Sequence, residues 1–168
     1  MGLDMYAYSL DAKLADDDWQ CDFPVHRKAR RAVGFLDLTD QELGKLDDSG
    51  KSNYWDKLRK ADKSAKESGF FDPDFYYWRK FNALHGWMAE LYTEKGGTDP
   101  DFNCNTLRLM PEDLRRLRWE IPELKPADGF FWGRQDVDPA DIEELHKFLD
   151  KAEQAIADGK AIYYDSWW

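Results

Sequence analysis

Residues 75–88 read FYYWRKFNALHGWM. With Asp72-Pro73 before them and Lys95-Gly96-Gly97 after, they predict one long helix over 72–95, because proline is tolerated in a first turn and glycine ends helices. On that helix Tyr77, Phe81, Leu84, Met88 and Leu91 share one stripe, and Trp78, Asn82, His85, Ala89 and Tyr92 the adjacent one. Together they form an apolar face broad enough to meet a sheet. Asn82 and His85 lie one turn apart within it, so their side chains can converge on a ligand or serve as the polar seam of a core.

Working outward, Leu3, Met5 and Ala7 alternate with Asp4, Tyr6 and Tyr8, a period of two that predicts an opening strand. LTDQELGKLDD (38–48) places Thr39 and Glu42 at capping-box spacing, so a short helix follows. The helix formers from Trp55 to Glu67 offer only alanines to a core after Leu58, so this helix is expected to be peripheral or mobile. NCNTLRLM (103–110) predicts a strand, and PEDLRRLRWE (111–120) a short helix with acids in its first turn. GFFWG (129–133) predicts a brief aromatic strand. Asp138 and Pro139 start a long helix whose stripe is Ile142, Leu145, Leu149, Ala152 and Ile156, and AIYYDSWW (161–168) closes the chain as a strand.

Four short strands and helices without regular alternation predict a single α+β domain over residues 1–168. Its small, mostly antiparallel sheet is packed on one face by two long helices and several short ones. If the aromatic strands pair with the opening strand, the other face exposes Trp and Tyr.

The chain has 168 residues, ten Phe, eight Tyr and eight Trp, so rings build its core or a binding face. The net charge of −10 argues against direct binding to nucleic acid or an anionic membrane. Acidic residues concentrate at the two ends, where Asp16, Asp17, Asp18, Glu143 and Glu144, with Trp167 and Trp168, are the candidate partner-binding residues. Cys21 and Cys104 form no paired-cysteine motif, and His26, His85 and His146 show no metal-binding spacing, so no metal and no cofactor are expected. DPDFNCN (99–105) alternates like a calcium loop, but Cys104 and Met110 stand where that loop needs glycine and glutamate. No phosphate-binding loop, dinucleotide fingerprint or serine-nucleophile motif occurs. The catalytic candidates are therefore His85 as acid or base, Asn82 as orienting amide, and Cys104 as nucleophile if His85 reaches it. No basic leader or membrane-length apolar run is present, so a cytoplasmic protein is expected.

MGLDMY at the start, YWRKFNALHGWM, the later Asn103-Cys104, GFFWG and YYDSWW together resemble a family of small, mostly uncharacterised phage and prophage proteins. The resemblance covers most of the chain outside residues 23–70, which by that comparison look like a peripheral helical insertion, and implies that Trp78, Arg79, Asn82, His85, Asn103 and Cys104 form a possible site. Some relatives carry a kinase label, which this chain without a phosphate loop does not fit. RQDVDPAD (134–141) departs from the hydroxyl and aromatic residues that the family places after its aromatic strand, so a pocket built there is altered. The expected function is that of an accessory protein in the bacterial host cytoplasm. It would inhibit or adapt a host or defence protein by binding it, with acidic surface available to imitate nucleic acid. An enzyme or ligand-binding protein with a pocket at His85 and Asn82, and a toxin immunity protein, are the alternatives.

Overall fold

In the opening strand Met5 and Ala7 turn to one side and Tyr8 and Leu10 to the other, and both sets are buried. The strand must therefore be covered on both faces. The computed structural model describes residues 2–129 and 133–168. Among these the strands are β1 (Asp4–Asp11), β2 (Phe71–Arg79), β3 (Leu107–Leu109), β4 (Asp128–Gly129), β5 (Gly133–Arg134) and β6 (Lys160–Trp167). The helices are α1 (Val25–Ala32), α2 (Asp40–Gly44), α3 (Asp48–Glu67), α4 (Asn82–Glu94), α5 (Pro111–Glu120) and α6 (Pro139–Ala157). Four strands make one antiparallel sheet in the order β2-β1-β6-β3, and β4 and β5 form a separate two-stranded hairpin. The fold is α+β.

The stretch expected to be one helix is a strand followed by a helix. Phe71–Arg79 pairs with β1, Met5 opposite Trp78 and Tyr6 opposite Tyr77. Aromatic residues suit a pleated, half-buried surface, and that preference overrides the helical spacing of the same rings. Pro73 is accommodated because β2 is an edge strand and because the residue falls in the irregularity between the Ala7–Tyr76 and Ser9–Asp72 pairs. Lys80, at φ 59°, turns the chain, and its amide donates to the Leu3 carbonyl at 2.8 Å. Helix α4 begins two residues later, with no side chain capping it. Trp78 therefore belongs to the sheet and does not share a stripe with Asn82.

Helices lie on both faces of the sheet, not on one. Beneath the first face, α4, α5 and α6 bring Leu84, Met88, Leu91, Leu114, Leu117, Phe148 and Leu149 against Met5, Ala7, Ile162 and Tyr164. The second face is smaller. There α1 and α3 bring Val25, Ala29 and Ala65, with Phe23 from the segment before α1, against Tyr8, Leu10, Phe71 and Tyr163. Segment 23–70 thus forms a layer of its own, and α3 buries only Ala61 and Ala65 over twenty residues. Its attachment depends on Arg30, buried in α1, which reaches Asp37 at 2.5 Å and Asp62 of α3 at 2.9 Å. The aromatic strand expected at GFFWG does not join the main sheet at its described flanks, and Phe130–Trp132 lie outside the described residues. Its place as a fourth strand is taken by β2.

Replacing Arg30 with alanine strands two carboxylates beside an apolar layer. Urea unfolding of Arg30→Ala should show a loss of about 3 kcal/mol, and Asp62→Ala a smaller loss, because Asp62 is partly solvated.

Candidate functional site

Asn82 and His85 occupy the first turn of α4 and are 1% and 3% exposed. Asn82 Nδ2 donates to the Gly133 carbonyl at 2.9 Å, tying α4 to β5. Its Oδ1 is buried without a hydrogen-bond partner among the described residues. Gly86 lies against Ala127, the residue before β4, whose Cβ would come within 2.7 Å of any Cβ at position 86, so α4 also approaches the segment leading into the hairpin. His85 Nδ1 lies 2.9 Å from the Tyr164 hydroxyl, and its ring stacks on Phe102 at 5.6 Å with an interplanar angle of 8°. Burial lowers the imidazole pKa from 6.5 to about 4, so the ring is neutral near pH 7. A neutral imidazole holds the Tyr164 hydroxyl as donor or acceptor according to its tautomer. This is the geometry of a polar seam within the core.

A cleft of about 320 Å³ reaches the edge of this seam, bordered by His85, Ala89, Asp101, Phe102, Asp128 and Trp168. Cys104 lines a different cleft, of about 200 Å³, beside Asp22, His26 and Arg27 at the start of α1. The expected meeting of thiol and imidazole is therefore replaced by two separate environments. Cys104 sits at φ 61°, its amide donates to the Ser166 carbonyl at 2.8 Å, and burial together with the nearby Asp165 raises its thiol pKa. That is the reverse of what activates a nucleophile. Asn103 exchanges two bonds with the Trp168 backbone, donating through Nδ2 at 3.0 Å and accepting at Oδ1 at 3.2 Å. Trp78 packs on the Phe148 ring at 4.7 Å, and Arg79 stands exposed 3.9 Å from Asp4. Among the described residues no group of three or more His, Cys, Asp or Glu could hold a metal ion, and no helix is long and apolar enough to cross a membrane.

The acidic candidates are partly neutralised by neighbours. Asp17 pairs with the buried Arg108 at 2.8 Å, and the Asp16 side chain accepts from the Asp18 amide at 3.2 Å. Glu143 and Glu144 share Lys147, and Glu144 also accepts from the Tyr76 hydroxyl at 2.9 Å.

The exposure of Trp and Tyr expected on the other sheet face occurs over half of it, and what sequence reasoning missed is the row that gathers there. α1 covers that face as far as Tyr8, whose ring meets His26 at 4.9 Å. Beyond it the register aligns Tyr77, Tyr6 and Asp165 in one row and Arg79, Asp4 and Trp167 in the next. Tyr77 is 51% exposed and Trp167 60%. The rings of Tyr6 and Tyr77 lie 5.4 Å apart, and those of Tyr6 and Tyr8 stack at 6.4 Å with an interplanar angle of 19°. Tyr77 donates its hydroxyl to Asp4 at 2.5 Å, whereas Tyr8 donates to Asp165 only at 3.4 Å. Desolvation between these rings raises the Asp165 pKa from 3.8 to about 6, against the opposing effect of the Ser166 amide and the Tyr8 hydroxyl. The signal available in sequence was the even-numbered register Asp4, Tyr6, Tyr8, but only its pairing with β2 and β6 gathers the other members.

Comparison with protein-family models, curated proteins and solved structures gives no match to this chain.

His85 and Asp165 titrate with opposite effects on stability. As pH falls from 6.5 to about 4, the unfolded chain protonates its histidine while folded His85 stays neutral, and stability is lost. As pH falls from about 6 to 3.8, folded Asp165 takes up its proton before the unfolded chain does, and stability is gained. Each effect is on the order of 2–3 kcal/mol. Chemical denaturation from pH 4 to 7 should show Asp165→Asn more stable than the natural protein at pH 7, but losing stability more steeply on acidification.

Proposed function

We propose that the protein acts by binding another protein, and that the uncovered half of the second sheet face is its contact surface. One observation carries this reading: a sheet face left half open by its helices, with Tyr77 and Trp167 at 51% and 60% exposure beside Tyr6, Asp4 and Asp165. Large, stiff aromatic side chains contribute contact area at low entropic cost, which is why they concentrate in interface hot spots. A host or defence protein of the bacterial cytoplasm, which this chain would inhibit or adapt, is the partner that the resemblance to phage and prophage proteins implies. A net charge of −10 favours a basic target, including a nucleic-acid-binding protein whose substrate an acidic surface would imitate. A toxin to which the chain confers immunity would be recognised by the same chemistry.

The reading as an enzyme or ligand-binding protein relies on the cleft beside His85. Against it, that imidazole is 3% exposed, hydrogen-bonded to Tyr164 and stacked on Phe102. The immobilised protein, exposed to lysate of its natural host, should retain a specific protein. A Tyr77→Ser, Trp167→Ala double variant should retain at least tenfold less of it while unfolding at the same denaturant concentration. A folded His85→Gln variant should retain as much as the natural protein. Loss of capture with the histidine variant and not with the surface variant would overturn the proposal.

A further inference from the structure

On the open half of the sheet, the two carboxylates differ in how they are compensated. Asp4 accepts the Tyr77 hydroxyl at 2.5 Å and faces the Arg79 guanidinium at 3.9 Å. Asp165 has its own neighbour's amide, Ser166 N at 2.7 Å, and the distant Tyr8 hydroxyl at 3.4 Å. Among the described residues it has no cationic partner within ion-pair distance. The groups around it are Tyr6 and Tyr8 on β1 and the Cys104 thiol, whose ionisation its charge opposes. Across the row stands Tyr77, and two residues along β6, on the same face, the exposed Trp167. A carboxylate held among ring faces, partly withdrawn from water and without a counter-charge, is costly in the isolated protein. A cation arriving from outside relieves that cost.

We infer that Asp165, with the rings of Tyr6, Tyr8 and Trp167 beside it, receives an arginine side chain of the partner protein. This rests on the reading of the open sheet face as the contact surface, and adds the chemistry of what enters it. A guanidinium suits the place better than an ammonium. Its plane stacks on tyrosine and tryptophan faces while its N–H fork meets a carboxylate, and it gives up hydration more easily. Arg79 does not compete for the position, because it lies in the next row beside Asp4.

The test uses the full-length 15N-labelled protein and three short peptides that differ at one central residue: arginine, lysine or the uncharged arginine isostere citrulline. The arginine peptide should shift the amide signals of Tyr6, Tyr8, Tyr77, Asp165 and Trp167. The lysine peptide should bind several-fold more weakly, and the citrulline peptide at least tenfold more weakly. Asp165→Asn should reduce arginine-peptide affinity at least tenfold, and Trp167→Ala, an exposed change that leaves the fold intact, about threefold. A Glu143→Gln, Glu144→Gln double variant should bind as the natural protein does. Equal binding of the citrulline peptide, unchanged affinity in Asp165→Asn, or shifts centred on the acidic helix surface of α6 would overturn the inference. If the peptides fail while host-protein capture still depends on Tyr77 and Trp167, arginine docking is wrong and the contact surface stands. If capture also ignores those two residues, both are wrong.

Discussion

Everything in this molecule depends on the register of β1 between its two antiparallel neighbours. β1 is an inner strand, paired along its length with β6 and, across an irregularity, with β2. Because side chains alternate, that register decides which residues meet the larger core and which meet the smaller layer and solvent. Met5 and Ala7 enter the core of α4, α5 and α6, while Tyr6, Tyr8 and Leu10 go the other way. A slip of one residue would send the tyrosines and Asp4 into the core and leave Met5 outside. The near-continuous burial of β1 makes that exchange very unfavourable, so the sheet's chemistry is fixed by its most buried strand.

Much of this was legible in the chain. The opening and closing strands, the helix capped by Asp138, the Thr39–Glu42 capping box and the helix starting at Pro111 are all local patterns, and each forms where expected. Residues 71–79 did not read correctly, because their rings satisfy two periodicities and the decision between them is made by a distant partner, β1. The break at Lys80 left no trace, since lysine is not a residue that announces a left-handed turn and α4 carries no capping side chain. The candidate site divided in the same way. Asn82 and His85 fall one turn apart on a buried helix, as their spacing implies. Cys104 and the row of Tyr77, Tyr6 and Asp165 are placed by contacts between residues far apart in sequence, which no local window contains.

Charge follows a consistent arrangement. Buried cations are each paired, Arg30 with Asp37 and Asp62 and Arg108 with the exposed Asp17, and the partly buried Lys95 pairs with Asp113. The surplus of acid is thereby left to surfaces, where water screens it. Asp165 departs from this pattern, being withdrawn from water without a matching cation among the described residues, and it stands beside the most exposed rings of the sheet.

Strand β6 also joins the two faces in a way that neither reveals alone. Tyr164 turns inward to His85, Asp165 outward to the tyrosine rows, and Ser166 inward again, its hydroxyl donating to the Phe102 carbonyl at 3.1 Å. The interior and the exterior are here separated by a single peptide unit. Tyr164, whose hydroxyl lies 2.9 Å from His85 Nδ1, and Asp165, set among the tyrosine rings, are thus neighbours on one strand that belong to opposite faces of the sheet. Of the two roles its sequence position allowed, His85 takes the polar seam, buried behind a strand whose next residue belongs to the outer face.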